Sequence, residues 1–115
     1  MTDRRRFEEL VAEALDSLPA WVLECLENVE VLVEERSPRG EPDLLGRYHG
    51  IPITDRDGGY TFVPPDTITL YRRTIERESE GDEARLREVV ARTVEHEIAH
   101  YFGISDERLR EMDAY

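Results

Sequence analysis

Residues 94–109 of the chain read VEHEIAHYFGISDERL, a stretch that combines a helical apolar pattern with a distinctive set of polar residues. The pattern predicts one long helix from about Glu83 to Phe102, which Gly103 ends as a C-terminal cap. The motif H-E-x-x-H at residues 96–100 therefore lies on a helix. The apolar residues that carry this prediction are Leu86, Val89, Val90, Val94 and Ile98.

The two histidines of the motif, His96 and His100, are four residues apart, so both imidazoles lie on one face of the helix. Two ring nitrogens placed in this way can reach one zinc ion at about 2.0–2.1 Å each, and neutral imidazole is a common zinc ligand. The alternative is a half-exposed helix face with Glu97 paired to an arginine. The spacing and the helical context together favour a metal site.

Glu97 is the residue whose type conflicts with its position. At about 100° per residue it falls inside the apolar arc of the helix, whereas His100 and then His96 lie toward the edge of that arc. A carboxylate that faces a core costs free energy unless it is paired or bound. A metal site with a water molecule for Glu97 to hold removes the conflict, so we expect Glu97 to be the general base.

A catalytic zinc site needs a third protein ligand. Only fifteen residues follow His100, too few for a glutamate from a distant later helix. Gly103 can adopt positive φ and turn the chain, which lets Asp106 swing back toward the metal. The extended pattern is H-E-x-x-H-x-x-G-x-x-D. Alternatively, Asp106 only occupies the first turn of the last helix, where the dipole stabilises it, and Glu107 or Asp113 is the ligand.

The remaining elements indicate an α+β fold, because helices lie at both ends of a few strands. Alternating apolar and acidic residues predict a first strand, and runs of β-branched residues predict the others. The third strand could present an edge to an extended peptide. The predicted elements are a helix over Phe7–Leu18 capped by Thr2 or Asp3, a helix from Pro19 to Leu26, strands at Val29–Glu34, within Leu44–Thr54 and at Thr67–Ile75, and a last helix capped by Ser105.

The composition excludes several functional classes. The 115 residues have the size of one domain, 1–115, and 15 basic against 27 acidic residues give a net charge of −12, unlike a nucleic-acid binder. Such a surface favours cations, including metal ions and basic peptides. No apolar run reaches the roughly 18–20 residues of a membrane span, and the N-terminus does not read as a secretory signal. The single cysteine, Cys25, suits a reducing cytosol, so we expect a cytoplasmic protein.

The chain resembles the small bacterial zincin-like metallopeptidase family. The resemblance rests on LGRYHGIP at residues 45–52, PDTITLYRR at residues 65–73 and the stretch at 94–109. It implies a compact zincin-like domain in which the H-E-x-x-H helix packs against a small sheet. It also implies His96, His100 and Asp106 as metal ligands and Glu97 as the base, without any departure from the motif.

These observations predict zinc-dependent hydrolysis of a peptide or protein substrate, with a water activated by the metal and by Glu97. Two alternatives stay open: a metal-binding regulatory or interaction module without turnover, and a zinc hydrolase of a non-peptide substrate. The group that stabilises the oxyanion is not determined by the sequence. Its candidates are His49, Tyr101, Tyr115 and Arg72, and Met112 could underlie the site or simply pack in the core.

Overall fold

A computed structural model describes residues 3–26, 28–50 and 65–111 of the protein. Helices come first and last along this part of the chain, with the strands between them, as the α+β prediction requires. The elements are α1 (Arg4–Asp16), α2 (Ala20–Cys25), β1 (Val29–Glu34), β2 (Gly46–His49), β3 (Asp66–Tyr71), α3 (Arg72–Ser79), α4 (Glu83–Tyr101) and α5 (Asp106–Glu111).

The strands form one mixed sheet in the order β1-β3-β2. β1 runs parallel to β3 with Val31 opposite Ile68, and β2 runs antiparallel to β3 with Tyr48 opposite the same residue. The predicted single α+β domain with a small three-stranded sheet is therefore confirmed. The expectation that the third strand presents an edge was wrong, because β3 is paired on both sides and buries its alternate residues.

α4 is the element around which the core is built. It packs against α1, α3, β2 and β3. Its fully buried residues include Val90 and Val94, which share one face. The predicted helix over 83–102 is confirmed to within one residue. α1 adds Phe7 and Leu10 to the same core and is capped by Asp3, whose carboxylate accepts from the Arg6 N–H at 2.8 Å. None of the helices in the described ranges is long and apolar enough to cross a membrane.

The predicted third strand extends too far. β3 ends at Tyr71, and residues 72–79 form α3 instead of continuing to Ile75 as a strand. Arg72 reaches Glu76 one turn later at 3.0 Å and also binds Glu35 at 2.9 Å, and i,i+4 ion pairs of this kind support a helical turn. The buried residues Arg72, Ile75 and Ser79 follow one another at three and four positions, which is helical spacing. This spacing predicts the helix, whereas the β-branched composition of the segment predicts a strand.

The first residue of β2, Gly46, lets α4 approach the sheet closely. A Cβ atom built on Gly46 would lie 2.9 Å from Cγ2 of Thr93 on α4 and 3.0 Å from the carbonyl oxygen of Thr69 on β3. Thr93 is buried and its hydroxyl donates to the Val89 carbonyl at 2.8 Å, so this β-branched side chain has little freedom to move. The absence of a side chain at residue 46 thus sets the distance between the sheet and α4.

We therefore expect Gly46→Ala to destabilise the fold by about 1–3 kcal/mol through overpacking, measured by urea denaturation. The double variant Gly46→Ala/Thr93→Ser removes the Cγ2 methyl but keeps the hydroxyl, so it should recover part of the loss. Thr93→Ser alone completes a double-mutant cycle with the wild type, Gly46→Ala and the double variant. Strictly additive effects of the two substitutions would show that the Gly46–Thr93 approach does not limit the packing.

Candidate metal centre

The end of α4 is a tight reversal of the chain centred on Gly103. Gly103 has φ +84°, as expected from its position in the sequence. Its N–H donates to the His100 carbonyl at 2.9 Å, and the Ile104 N–H donates to the Ala99 carbonyl at 2.9 Å. This pair of bonds is a Schellman motif, which satisfies the last carbonyls of the helix. The reversal sends residues 104–106 back along the face of α4 that carries the histidines.

Three donor atoms meet at this reversal. Oδ1 of Asp106 lies 3.0 Å from Nε2 of His96 and 2.9 Å from Nε2 of His100, and the two Nε2 atoms are 3.2 Å apart. A tetrahedral zinc site with bonds of about 2.1 Å has ligand atoms about 3.4 Å apart. The three side chains therefore need to separate by only a few tenths of an ångström to surround such an ion.

The orientation of His100 is set by the backbone. Its Nδ1 lies 2.8 Å from the Ile104 carbonyl oxygen, which can only accept, so Nδ1 carries a proton and donates. In a neutral imidazole with this tautomer, the lone pair of Nε2 faces Oδ1 of Asp106, which is also an electron-pair donor. Two donors at 2.9 Å repel each other unless a proton or a cation lies between them. The donor set therefore fits a bound metal, and the Ile104 carbonyl is an orienting group that no side-chain pattern indicates.

Glu97 lies beside these groups and is buried, with only 5% of its surface exposed, as its helical position predicts. One side-chain donor atom from each of His96, Glu97 and His100 lies within 4.8 Å of the other two. Burial raises the pKa of Glu97 to about 7, while the charge on His100 and a hydrogen bond from the Tyr48 backbone oppose the shift. Burial also lowers the pKa of His96, and His100 adds to that effect. The carboxyl is thus held by β2 at the base of the site.

Asp106 combines both of the positions considered for it. It begins α5, in the first turn, and its side chain also contacts both histidines. Ser105 caps this helix, as predicted, by accepting from the Arg108 N–H at 3.1 Å. Glu107 is exposed on the same turn, and Asp113 lies outside the described residues.

The candidates for oxyanion stabilisation are mostly engaged elsewhere. Tyr101 is buried, and its hydroxyl donates to the Cys25 carbonyl at 2.8 Å. Arg72 is buried between Glu35 and Glu76. His49 is exposed at the end of β2, and Tyr115 and Met112 lie outside the described residues.

A pocket of about 410 Å³ opens beside His96 and Glu97. Its walls come from the segment that leads into β2, from α4 and from α5. Its apolar lining residues are Leu44, Leu45, Val89 and Leu109, and its charged ones, besides His96 and Glu97, are Asp43, Arg92 and Glu95. Such a mixture of apolar walls and a few polar groups is typical of a binding pocket.

Comparison with known proteins gives a family match. The family model described as zincin-like metallopeptidase matches residues 26–115, which include the whole sheet, α4 and α5. No curated protein matches the chain. Membership implies a metal ion, typically zinc, and suggests a protease. Because the match spans well over half of the sequence, the chain belongs to the zincin-like metallopeptidase family.

Proposed function

We propose that the protein is a zinc-dependent peptide hydrolase in which His96, His100 and Asp106 hold the metal and Glu97 is the general base. The observation that carries the proposal is the convergence of two Nε2 atoms and one carboxylate oxygen within 3.2 Å of one another, beside a buried glutamate. Family membership supports the same reaction class.

Asp106 is a better third ligand than Glu97 or Glu107. Its Oδ1 already lies about 3 Å from both ring nitrogens, and half of its side chain is exposed, so the metal can reach it. The carboxyl of Glu97 is instead buried and accepts a hydrogen bond from the backbone of Tyr48. Glu97 therefore suits a role beside the metal better than the role of a metal ligand. Glu107 is exposed, and no contact links it to either histidine within the described part of the chain.

The proposed chemistry divides between the metal and Glu97. A bound zinc ion supplies Lewis-acid polarisation of a carbonyl and lowers the pKa of a coordinated water. Glu97 orients that water, accepts its proton and later delivers the proton to the leaving nitrogen of the peptide. Burial raises the pKa of the Glu97 carboxyl to about 7 in the metal-free protein, and a nearby divalent cation would favour its ionised, proton-accepting form.

Among the described strands β2 lies at the edge of the sheet, and this position supports an extended peptide as the substrate. The Tyr71 N–H donates to the Leu45 carbonyl at 2.9 Å, and in an antiparallel ladder every second residue turns its backbone groups away from the partner strand. Gly46 therefore directs its N–H and C=O away from β3, and Gly46 also lines the pocket next to His96. A peptide laid along β2 would form strand-like hydrogen bonds there.

The metal assignment predicts close to one zinc ion per chain, measured by elemental analysis after gel filtration. His96→Ala and His100→Ala should each lose most of the zinc because a ligand is removed. The third histidine of the chain, His49, lies exposed at the end of β2, so His49→Ala is the matched control and should keep it. Zinc content that drops equally in all three variants would point to adventitious binding by imidazole.

The same measurement separates the candidate third ligands. Asp106→Asn should weaken zinc binding at least about tenfold, since even outer partners of metal ligands change affinity by about 10- to 100-fold. Glu107→Gln, one residue further along α5, should leave the affinity unchanged. The reverse result would make Glu107 the ligand and Asp106 a helix-terminus residue.

The base assignment predicts that Glu97→Gln retains zinc and loses peptide hydrolysis, because an amide cannot accept the proton of the water. A quenched-fluorescence peptide library measures the activity, and Glu88→Gln is the control, because Glu88 is an exposed glutamate of α4 that does not line the pocket. Full activity of the Glu97 variant would place the base elsewhere. Zinc binding without any Glu97-dependent cleavage would favour the metal-binding module or a non-peptide hydrolase.

The pKa of Glu97 predicts a pH-dependent stability of the metal-free protein. Its pKa rises from 4.5 to about 7, so between these values the folded state binds more protons than the unfolded state, and stability falls as pH rises. The raised pKa corresponds to a loss of about 3 kcal/mol in the free energy of unfolding, and this loss is complete at pH values above the pKa of Glu97 in the folded state. Glu97→Gln does not undergo this loss. The free energy of unfolding of the variant, relative to that of the wild type, should therefore increase by about 3 kcal/mol between about pH 4.5 and pH 8.

Urea denaturation in the presence of EDTA measures this difference. The lowered pKa of His96 has the opposite effect, since it costs stability as pH falls below 6.5, but it is present in both proteins. A gap between wild type and the Glu97 variant that does not change with pH would contradict the prediction.

A further inference from the structure

The pocket beside the metal centre contains one cationic side chain, Arg92, among its described lining residues other than the histidine. Arg92 is on α4, four residues before His96. At 3.6 residues per turn these two side chains lie only about 40° apart around the helix axis and about one turn apart along it. The guanidinium therefore borders the pocket on the same helix face as the proposed metal ligand.

Arg92 has no ion pair or hydrogen bond to any residue in the described ranges, which is unusual in this protein. Many of the other arginines are engaged: Arg4, Arg6, Arg72, Arg77 and Arg87, for example, each contact a carboxylate. Asp43, the acidic lining residue in the segment that leads into β2, pairs with Arg77 at 3.2 Å. The charge of Arg92 is thus available to a molecule that enters the pocket.

Glu95 is the other charged group to weigh, because it also lines the pocket and is exposed. It lies about 100° around α4 from His96, more than twice as far as Arg92, and so belongs to the rim. The apolar lining residues of the pocket include Leu44, Val89 and Leu109. Arg92 itself is exposed at the pocket, where its guanidinium can bind a carboxylate through charge-assisted hydrogen bonds.

We propose that Arg92 determines substrate specificity by binding a carboxylate, so that the pocket accepts a glutamate or aspartate residue of the peptide next to the bond that is cut. The statement about cleavage rests on the proposed function, whereas the statement about binding does not. The preference is opposite to the one that the overall charge of −12 favours, which is for basic peptides. A measured preference for an acidic residue would therefore have a local origin.

Binding to the metal-free protein tests this assignment without any turnover. Three capped tripeptides serve as probes: acetyl-Leu-Glu-Leu-amide and the same peptide with Gln or Lys at the centre. They are titrated into wild-type protein with EDTA at about 150 mM salt, where long-range attraction is screened, and amide chemical shifts report the affinity. The absence of metal ensures that a carboxylate is not captured by zinc itself.

We expect the Glu peptide to bind about tenfold more tightly than the Gln peptide, the gain typical of a charge-assisted hydrogen bond. In Arg92→Gln the two peptides should bind within about twofold of each other, and Arg92→Glu should favour the Lys peptide. Arg87→Gln is the matched control, because Arg87 is an exposed arginine of α4 that pairs with Glu13 and does not line the pocket.

Four results would overturn the assignment: no binding of any probe, equal binding of the Glu and Gln peptides by the wild type, a preference that survives Arg92→Gln, or a preference for the Lys peptide that Glu95→Gln abolishes. A second assay separates this proposal from the proposed function. The zinc-loaded protein is presented with peptide libraries that carry Glu, Gln or Lys at one position. Cleavage without acidic preference rejects the role of Arg92 alone, and acidic binding without cleavage rejects the hydrolase alone.

Discussion

The reversal of the chain at Gly103 is the constraint on which the site depends. A residue with a side chain would hold this left-handed conformation at a cost of about 1–2 kcal/mol, and glycine avoids that cost. Because the turn follows directly after α4, the last carbonyls of the helix are satisfied by the residues that turn back. The turn at Gly103 and Ile104 therefore ends the helix, orients His100 through the Ile104 carbonyl, and returns Asp106 to both histidines.

The site also contains interactions that are unfavourable on their own. Glu97 is a carboxylate in a buried position, and Oδ1 of Asp106 lies 2.9 Å from Nε2 of His100, which repels it unless a proton or a cation lies between them. Both arrangements cost stability in a metal-free protein, and both become favourable next to a divalent cation. Unfavourable polar groups that cluster at one place on an otherwise consistent fold are expected where binding supplies the missing interaction.

Close packing of α4 on the sheet gives the rest of the geometry. Gly46 allows the helix to approach β2, and this approach brings the backbone of Tyr48 to the carboxyl of Glu97. The segment leading into β2 then forms one wall of the pocket, opposite α5. The metal centre, the base and the pocket are therefore parts of one packing arrangement between a helix and the sheet edge, which explains how so short a chain can contain all three.

Local sequence alone determined the position of α4, its C-terminal turn and the inward position of Glu97, because helical period and glycine conformation act over only a few residues. The pattern of H-E-x-x-H-x-x-G-x-x-D likewise indicated His96, His100 and Asp106 as a group. The β propensity of the residues around Arg72 predicted a strand where α3 forms. Ion pairs from Arg72 to Glu35 and Glu76 outweigh that propensity.

Tertiary structure alone decided the features that join distant segments. The central position of β3, the hydrogen bond from Tyr48 to Glu97 and the pocket that exposes Arg92 each join parts of the chain at least 18 positions apart. No local pattern specifies such contacts, since they follow from the way in which whole elements pack. The residue types of the site were thus readable from the sequence, whereas their distances, their burial and the surface next to them required the fold.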